Sequence, residues 1–264
     1  MNSLFFNFHG IAGVRVNTQN AEAAMFFAQE YAHHRVEALP PDLPLVTLNF
    51  GAAAPAGRAF SHHSHKALAR WFYAIDLSER QITLFANGNR FAVPMIHHMM
   101  VHSSLRYLVS YQNTLLLHSG GVALNGQSIL FTGRGGAGKT TTTSMILSGR
   151  EPVWELHADD YAFIRPGQGT LAYLTRAHLY RDLLSWIPGL SARLSPGERL
   201  RLEVFGRLRR WSGDRLKWPV RIGLDRLWPG HALCQRAAPA ALVLLRRERV
   251  AQPQLTSIQA GPEQ

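Results

Sequence analysis

The sequence predicts an α/β fold in which a mixed sheet carries a glycine-rich loop, preceded by a smaller β-rich α+β region. The first observation is a strand, a loop and a helix in succession over residues 128–149, with the pattern GxxxxGK[ST] at the loop. The second is a further strand, 153–158, which ends in two adjacent aspartates. The third is a change from strand-like to helical apolar spacing at Pro94.

The apolar spacing divides the 264 residues into four segments: a β-rich region 1–93, a connecting helix 94–112, a core 113–250 and a weakly structured tail 251–264. In the first segment, residues 43–51 and 70–77 are expected to be strands, and Asn87-Gly88 predicts a hairpin turn. Pro94 suits the first turn of the connecting helix. Late in the core, residues 240–247 are expected to form a strand that returns to the sheet.

Composition indicates a globular protein of the cytoplasm. Hydrophobic residues make up 46% of the chain, there is one cysteine, and no apolar run is long enough to span a membrane. The formal net charge is +11, and half of the 28 Lys and Arg residues lie between Arg193 and Arg249. Because no aromatic RNA motif or zinc finger accompanies this charge, we expect solvated basic faces rather than a nucleic-acid partner.

The loop motif, GRGGAGKT at 133–140, predicts a nucleotide-binding site. Glycines let the backbone N–H groups wrap around phosphates, and the helix that follows adds its positive dipole end. Lys139 would reach the β- and γ-phosphates, and the Thr140 hydroxyl would join the shell of a Mg²⁺ ion. The candidate residues are Gly133, Arg134, Gly135, Gly136, Ala137, Gly138, Lys139, Thr140 and Thr141.

A phosphate loop needs an acidic residue for the metal, and Asp159-Asp160 follow Lys139 by about twenty residues. Adjacent residues on a strand point to opposite faces, so both carboxylates reach one metal only if the strand breaks there. We therefore expect a division of roles, in which one aspartate holds Mg²⁺ and the other accepts a proton from an attacking hydroxyl.

The hairpin "LLLHSGGVALNGQSILFTG", the loop and the sequence "ADD" together resemble the HPr kinase/phosphorylase family, which belongs to the phosphoenolpyruvate-carboxykinase-like nucleotide-binding group. The resemblance covers roughly residues 105–166 and implies ATP and Mg²⁺. It implies that Asp159 is the base toward an acceptor serine, that His118 lies beside this acid, and that Asp160 is its neighbour, here expected at the metal with Thr140. Relatives that form oligomers make a homo-oligomer a further expectation.

The glycine-rich signature that this family carries downstream of the acidic motif is not found, and the first segment differs from the usual companion domain. The chain is therefore more similar to short HPr-kinase-related proteins of peptide-biosynthesis clusters. The prediction is a kinase that phosphorylates a serine of a peptide or protein, such as a precursor peptide. A small-molecule alcohol kinase and a nucleotide-binding regulatory module remain alternatives, and GTP or pyrophosphate remains an alternative to ATP.

Two further groups of residues attract attention. His62, His63 and His65 are expected in an exposed loop, and His97, His98 and His102 on an exposed face of the connecting helix, where a metal site is not expected because no acidic ligand is near. Arg165 and Arg176 follow the acidic strand and are candidates for neutralising γ-phosphate charge, against ordinary surface placement.

Overall fold

The structure is a computed structural model that describes residues 2–53, 62–149, 151–213 and 215–246, together with Gln254 and Thr256. Within these residues the fold is α/β, with two seven-stranded mixed sheets and a small two-stranded sheet. The strands are β1 (Asn2–Phe8), β2 (Ala12–Thr18), β3 (Arg35–Val36), β4 (Leu45–Phe50), β5 (His62–Lys66), β6 (Ala69–Leu77), β7 (Gln81–Gly88), β8 (Leu115–Leu117), β9 (Ser119–Leu124), β10 (Gln127–Thr132), β11 (Glu155–Ala158), β12 (Tyr161–Arg165), β13 (Gly169–Tyr173), β14 (Ala177–Leu179), β15 (Val220–Ile222) and β16 (Arg236–Leu244). The helices are α1 (Ala21–Glu30), α2 (Ala92–Ile96), α3 (His102–Ser110), α4 (Lys139–Leu147), α5 (Leu183–Trp186), α6 (Pro196–Trp211) and α7 (Leu224–Leu227).

The first large sheet is built from the residues before α2 and has the order β3-β1-β2-β4-β7-β6-β5. The hairpin predicted at Asn87-Gly88 is wrong, because both residues pair with β6 inside β7, and the turn between these strands lies at 78–80. Gly88 is needed for close packing instead: a Cβ atom there would lie 2.7 Å from the Arg70 carbonyl oxygen.

The second large sheet has the order β11-β9-β10-β16-β13-β12-β8. Asn125 and Gly126 join β9 to β10 with φ values of 51° and 75°, as an Asn-Gly hairpin requires. β16 runs parallel to β10, so the C-terminal strand does return to the sheet beside the glycine-rich loop. It spans Arg236–Leu244, earlier than expected. The predicted tail, 251–264, lies outside the described residues except for Gln254 and Thr256.

Two neighbouring strands of this sheet break at the same level. His118 separates β8 from β9, and Asp159-Asp160 separate β11 from β12. β9 pairs with β11 on one side of the break, and β8 pairs with β12 on the other. The Ser119 N–H donates to the Asp160 carbonyl oxygen at 3.1 Å, which holds the two breaks together.

The connecting helix is continuous through α2, a π-helical segment His97–Val101 and α3. It packs into one hydrophobic cluster that contains residues of both large sheets, including Phe8, Leu84, Leu105 and Phe163. The core therefore extends across the predicted segment boundaries.

The predictions for the histidines are only partly confirmed. His97 and His102 are buried, because the helix inserts this face between Tyr31 at the end of α1 and Tyr161 of the second sheet, and only His98 of this group is exposed. The histidines at 62, 63 and 65 are exposed, as expected, but they lie in β5, which pairs with β6 at the edge of the first sheet, and not in a loop.

Residues after β13 cover one side of the second sheet. β14 and β15 pair with each other, and α6 begins with a capping box formed by Ser195 and Glu198. Leu202 of α6 joins a second hydrophobic cluster with Leu147 of α4 and Phe131 of β10. None of the helices in the described parts of the chain has the length and apolar character needed to cross a membrane.

Candidate functional site

The glycine-rich loop follows β10 and leads directly into α4. Gly133, Gly136 and Gly138 have φ values of 151°, 84° and 108°, which residues with a side chain rarely adopt. A Cβ atom on Gly133 would also lie 2.6 Å from the carbonyl oxygen of Leu245. The tight passage from strand to helix therefore depends on these glycines.

The Lys139 side chain folds back over this loop. Its ammonium group donates to the carbonyl oxygens of Gly133 at 3.0 Å and Arg134 at 3.4 Å. Lys139 is buried, and burial lowers its pKa against the opposing charges of Asp160 and Asp159. A cation is thus held at the start of α4, within electrostatic reach of both aspartates.

Asp159 lies beside the helix that begins at the loop. Its carboxylate accepts a hydrogen bond from the Thr140 side chain and, at 3.3 Å, from the backbone N–H of His178. Burial raises the pKa of Asp159 to about 6, against the opposing positive charge of His178. The aspartate that the structure brings to Thr140 is therefore Asp159, whereas the sequence led us to expect Asp160 there.

Asp160 lies between two imidazole rings. His118 Nε2 is 3.3 Å from Oδ1, and His178 Nδ1 is 3.8 Å from Oδ2. Burial alone would raise the pKa of Asp160, but the hydrogen bond from His118 and the charge of His178 outweigh it and hold the pKa well below its usual range. His118 is 42% exposed, so it forms the open side of this pair.

His118 is positioned by the backbone around it. Its carbonyl oxygen accepts a hydrogen bond of 3.1 Å from the Thr132 hydroxyl, at the last residue before the loop. Thr132 leads into the glycine-rich loop, and the Ser119 N–H is hydrogen-bonded to Asp160. The hairpin therefore connects His118 both to the loop and to Asp160. The approach from a hairpin thus places a histidine where a single buried strand would place none.

A buried glutamate of the first region extends the network. Glu30 ends α1, and its Oε2 accepts hydrogen bonds from Arg176 at 2.9 Å, while His178 Nε2 lies 3.8 Å from Oε1. Arg221 Nε lies 3.9 Å from Glu30 Oε2 and 3.0 Å from His178 Nε2, and the guanidinium groups of Arg221 and Arg176 both lie over the Phe26 ring. Burial would lower the pKa of His178, but Glu30 and Asp160 outweigh burial and raise it.

The remaining candidates are less closely involved. Arg134, Gly135 and Gly136 are exposed in the loop, and Thr141 is half-buried in the first turn of α4. Arg176 is occupied by Glu30 and Gln29. Arg165 ends β12, the strand that begins immediately after Asp160, so several residues of extended chain separate it from Asp160.

Sequence reasoning missed Glu30, His178 and Arg221. They are separated along the chain by up to 191 positions, and only the packing of α1 against β14 and β15 brings them together. No local spacing connects them, although a glutamate inside the apolar pattern of α1 is a signal of a buried charge that needs a partner.

A comparison of the sequence with protein families finds no family that matches, and a comparison with curated proteins finds no match either.

Proposed function

We propose that the protein is an ATP- and Mg²⁺-dependent kinase that transfers the γ-phosphate to a hydroxyl group, with a serine of a peptide or protein as the acceptor. The observation that carries this proposal is the meeting of Lys139 and Thr140 with two aspartates in different environments. The proposal includes a phosphate-loop core of the HPr kinase type, as the resemblance of residues 105–166 implies.

Nucleotide binding would fall to the glycine-rich loop. The loop amides and the N-terminus of α4 suit the polyphosphate, and Lys139 would exchange its loop carbonyl partners for phosphate oxygens. Phosphoryl transfer requires mainly positioning and neutralisation of charge, which a fixed cation at this place supports.

The residues present also fit Mg²⁺. The Thr140 hydroxyl and the Asp159 carboxylate are adjacent oxygen donors at the start of α4, and Mg²⁺ takes one or two carboxylates together with substrate phosphates. Bound Mg²⁺ supplies neutralisation of the charge on the transferred phosphoryl group. We therefore assign the metal to Thr140 and Asp159, rather than to Thr140 and Asp160.

His118 and Asp160 then serve the acceptor. His118 stands on the open side, and Asp160 binds its Nε2, so the second ring nitrogen is free to accept a proton from a hydroxyl. Asp160 orients the imidazole and stabilises the cation that forms. The alternative assignment follows the sequence: Asp159, whose pKa of about 6 also suits a proton acceptor, is the base.

The test is transfer of label from γ-labelled ATP to a serine-peptide library and to a panel of small alcohols. We expect Lys139→Ala to lose nucleotide affinity at least about tenfold, and Asp159→Asn to need about tenfold more Mg²⁺. His118→Gln and Asp160→Asn should keep nucleotide affinity and lose about 100-fold or more in kcat. Asp225→Asn, an exposed aspartate of α7, is the matched control.

Label on alcohols alone would favour the small-molecule kinase. If Asp159→Asn loses kcat at saturating Mg²⁺ while Asp160→Asn does not, the two aspartates have the opposite roles. If the wild type binds ATP, labels neither pool, and hydrolyses ATP at a rate that none of the four variants changes, the protein is a nucleotide-binding module and the kinase proposal is wrong.

A further inference from the structure

The connecting helix forms a wall beside Asp160 and Tyr161. His98, His102 and Arg106 lie on successive turns of this helix. The His102 ring is 4.9 Å from the ring of Tyr161, the residue after Asp160, and 5.8 Å from the ring of His98. This face therefore lies beside the start of β12, next to Asp160.

Arg106 and Tyr161 connect this wall to the proposed proton acceptor. The Arg106 guanidinium lies 5.8 Å from the centre of the Tyr161 ring and hydrogen-bonds the Tyr161 hydroxyl. The same ring is 5.2 Å from the imidazole of His118. A group bound at Arg106 would therefore be one side-chain length from a hydroxyl bound at His118.

The charge on this wall is not balanced. Glu30 is paired with Arg176, and Asp160 is paired with two histidines. By contrast, Arg106 and Lys66 are both exposed, and no carboxylate of the residues described here lies within ion-pair distance of either. Lys66 lies at the end of β5, and its positive charge contributes to the lowering of the pKa of His98 that burial causes.

We propose that this face binds an anionic group of the acceptor, so that the substrate is a peptide segment in which an acidic side chain lies next to the phosphorylated serine. A guanidinium presents a planar fork that matches a carboxylate, and a cation without a carboxylate partner selects against basic neighbours. The net charge of +11 would assist the encounter with an acidic segment. The inference rests on the proposed kinase function and specifies its substrate class.

The test compares two serine-peptide libraries that differ only at the positions flanking the serine, which are Glu in one and Gln in the other. The measured quantity is the ratio of kcat/KM for the two libraries, so a general loss of activity cancels. We expect the wild type to prefer the Glu library by about tenfold, and Arg106→Gln and Lys66→Gln to reduce this preference to about twofold. A third library consists of small alcohols that carry a phosphate or a carboxylate. It reports whether the site accepts a small anionic alcohol instead of a peptide.

Three variants separate recognition from structure. Arg201→Gln removes an exposed positive charge on α6 and should leave the preference unchanged. Tyr161→Phe removes the hydroxyl that Arg106 binds but keeps the guanidinium, and should also keep the preference. Arg106→Glu should prefer a library with Lys at the flanking positions, which only a folded protein that reads charge at this position would do.

Equal kcat/KM values of the wild type for the two libraries would overturn the inference. An equal loss of kcat/KM on both libraries in Arg106→Gln would also overturn it, because Arg106 would then act at the transferred phosphate. A loss of preference in Arg201→Gln would show that only total charge matters. Binding of fluorescent Glu and Gln peptides without nucleotide is measured in parallel. If neither library is labelled but the Glu peptide binds through Arg106, the kinase proposal fails while the anion site stands. If the Glu peptide does not bind and is not labelled, both fail.

Discussion

Glu30 offers the most direct test of the network behind the site. Its carboxylate is 1% exposed and faces Arg176 at 2.9 Å, with His178 and Arg221 within 4 Å. Burial alone would raise the pKa of Glu30, but the nearby imidazole of His178 and the charges of Arg221 and Arg176 outweigh it and lower the pKa from 4.5 to about 2. Glu30→Gln removes the buried anion that Arg176, His178 and Arg221 surround.

Two routes give a similar magnitude for this substitution. A pKa that falls from 4.5 to about 2 on folding corresponds to about 3 kcal/mol of stability. Breaking a buried ion pair by removing one partner costs about 3 to 5 kcal/mol. We therefore expect Glu30→Gln to lower the free energy of unfolding by about 3 kcal/mol at pH 7.

The pH dependence identifies the cause. Because the pKa of Glu30 is lower in the folded state, its contribution is complete above pH 4.5 and is lost as the pH falls toward 2. In urea unfolding followed by tryptophan fluorescence, the difference between wild type and variant should shrink to about 1 kcal/mol at pH 3. Glu22→Gln, an exposed glutamate of the same helix, should cost less than about 1 kcal/mol. A difference that stays constant between pH 7 and pH 3 would refute the reasoning.

Two other substitutions test the loop and the buried histidines. Gly133→Ala places a Cβ atom 2.6 Å from the Leu245 carbonyl oxygen, so it should lower the free energy of unfolding by about 2 kcal/mol, measured by thermal or urea unfolding, and weaken ATP binding. The control is Gly135→Ala, whose Cβ atom meets no atom within 4 Å and which should leave stability nearly unchanged. Equal effects of the two substitutions would contradict the packing argument. Burial lowers the pKa of His34 and of His102 to about 3, so the unfolded chain takes up their protons first, and stability should fall below pH 6.5 by up to about 1.4 kcal/mol per pH unit for each ring. His102→Phe should reduce that slope between pH 6 and pH 4, and an unchanged slope would show that His102 does not carry it.

Local sequence signals predicted the elements that depend on nearby residues. The Asn125-Gly126 turn, the strand before the loop and the helix after Gly138 occur where the pattern placed them, because glycine and asparagine tolerate positive φ and few other residues do. The same rule failed at Asn87-Gly88, where the glycine serves the close approach of Arg70 across the sheet. The Asn-Gly dipeptide predicts a hairpin turn at both positions, and only the pairing with a partner strand distinguishes the turn from the strand.

Proximity of the aspartates to the loop also followed from the sequence, since β10 and β11 run in the same direction in one sheet and end at the same edge. Their separate environments did not follow. The strand breaks at both residues, so the alternation of faces that the sequence reasoning assumed no longer applies, and Asp159 turns to Thr140 while Asp160 turns to His118.

By itself, the sequence therefore determined an α/β chain with a glycine-rich loop, its lysine and threonine, and two nearby acids, because these features are encoded within short stretches of backbone. Tertiary structure alone decided which aspartate meets which partner, the burial of His97 and His102, and the joining of Glu30 to Arg176 and Arg221. These contacts arise from the packing of two sheets, α1 and the connecting helix around a common core, where burial and long-range charge set the energy and no local spacing records the outcome.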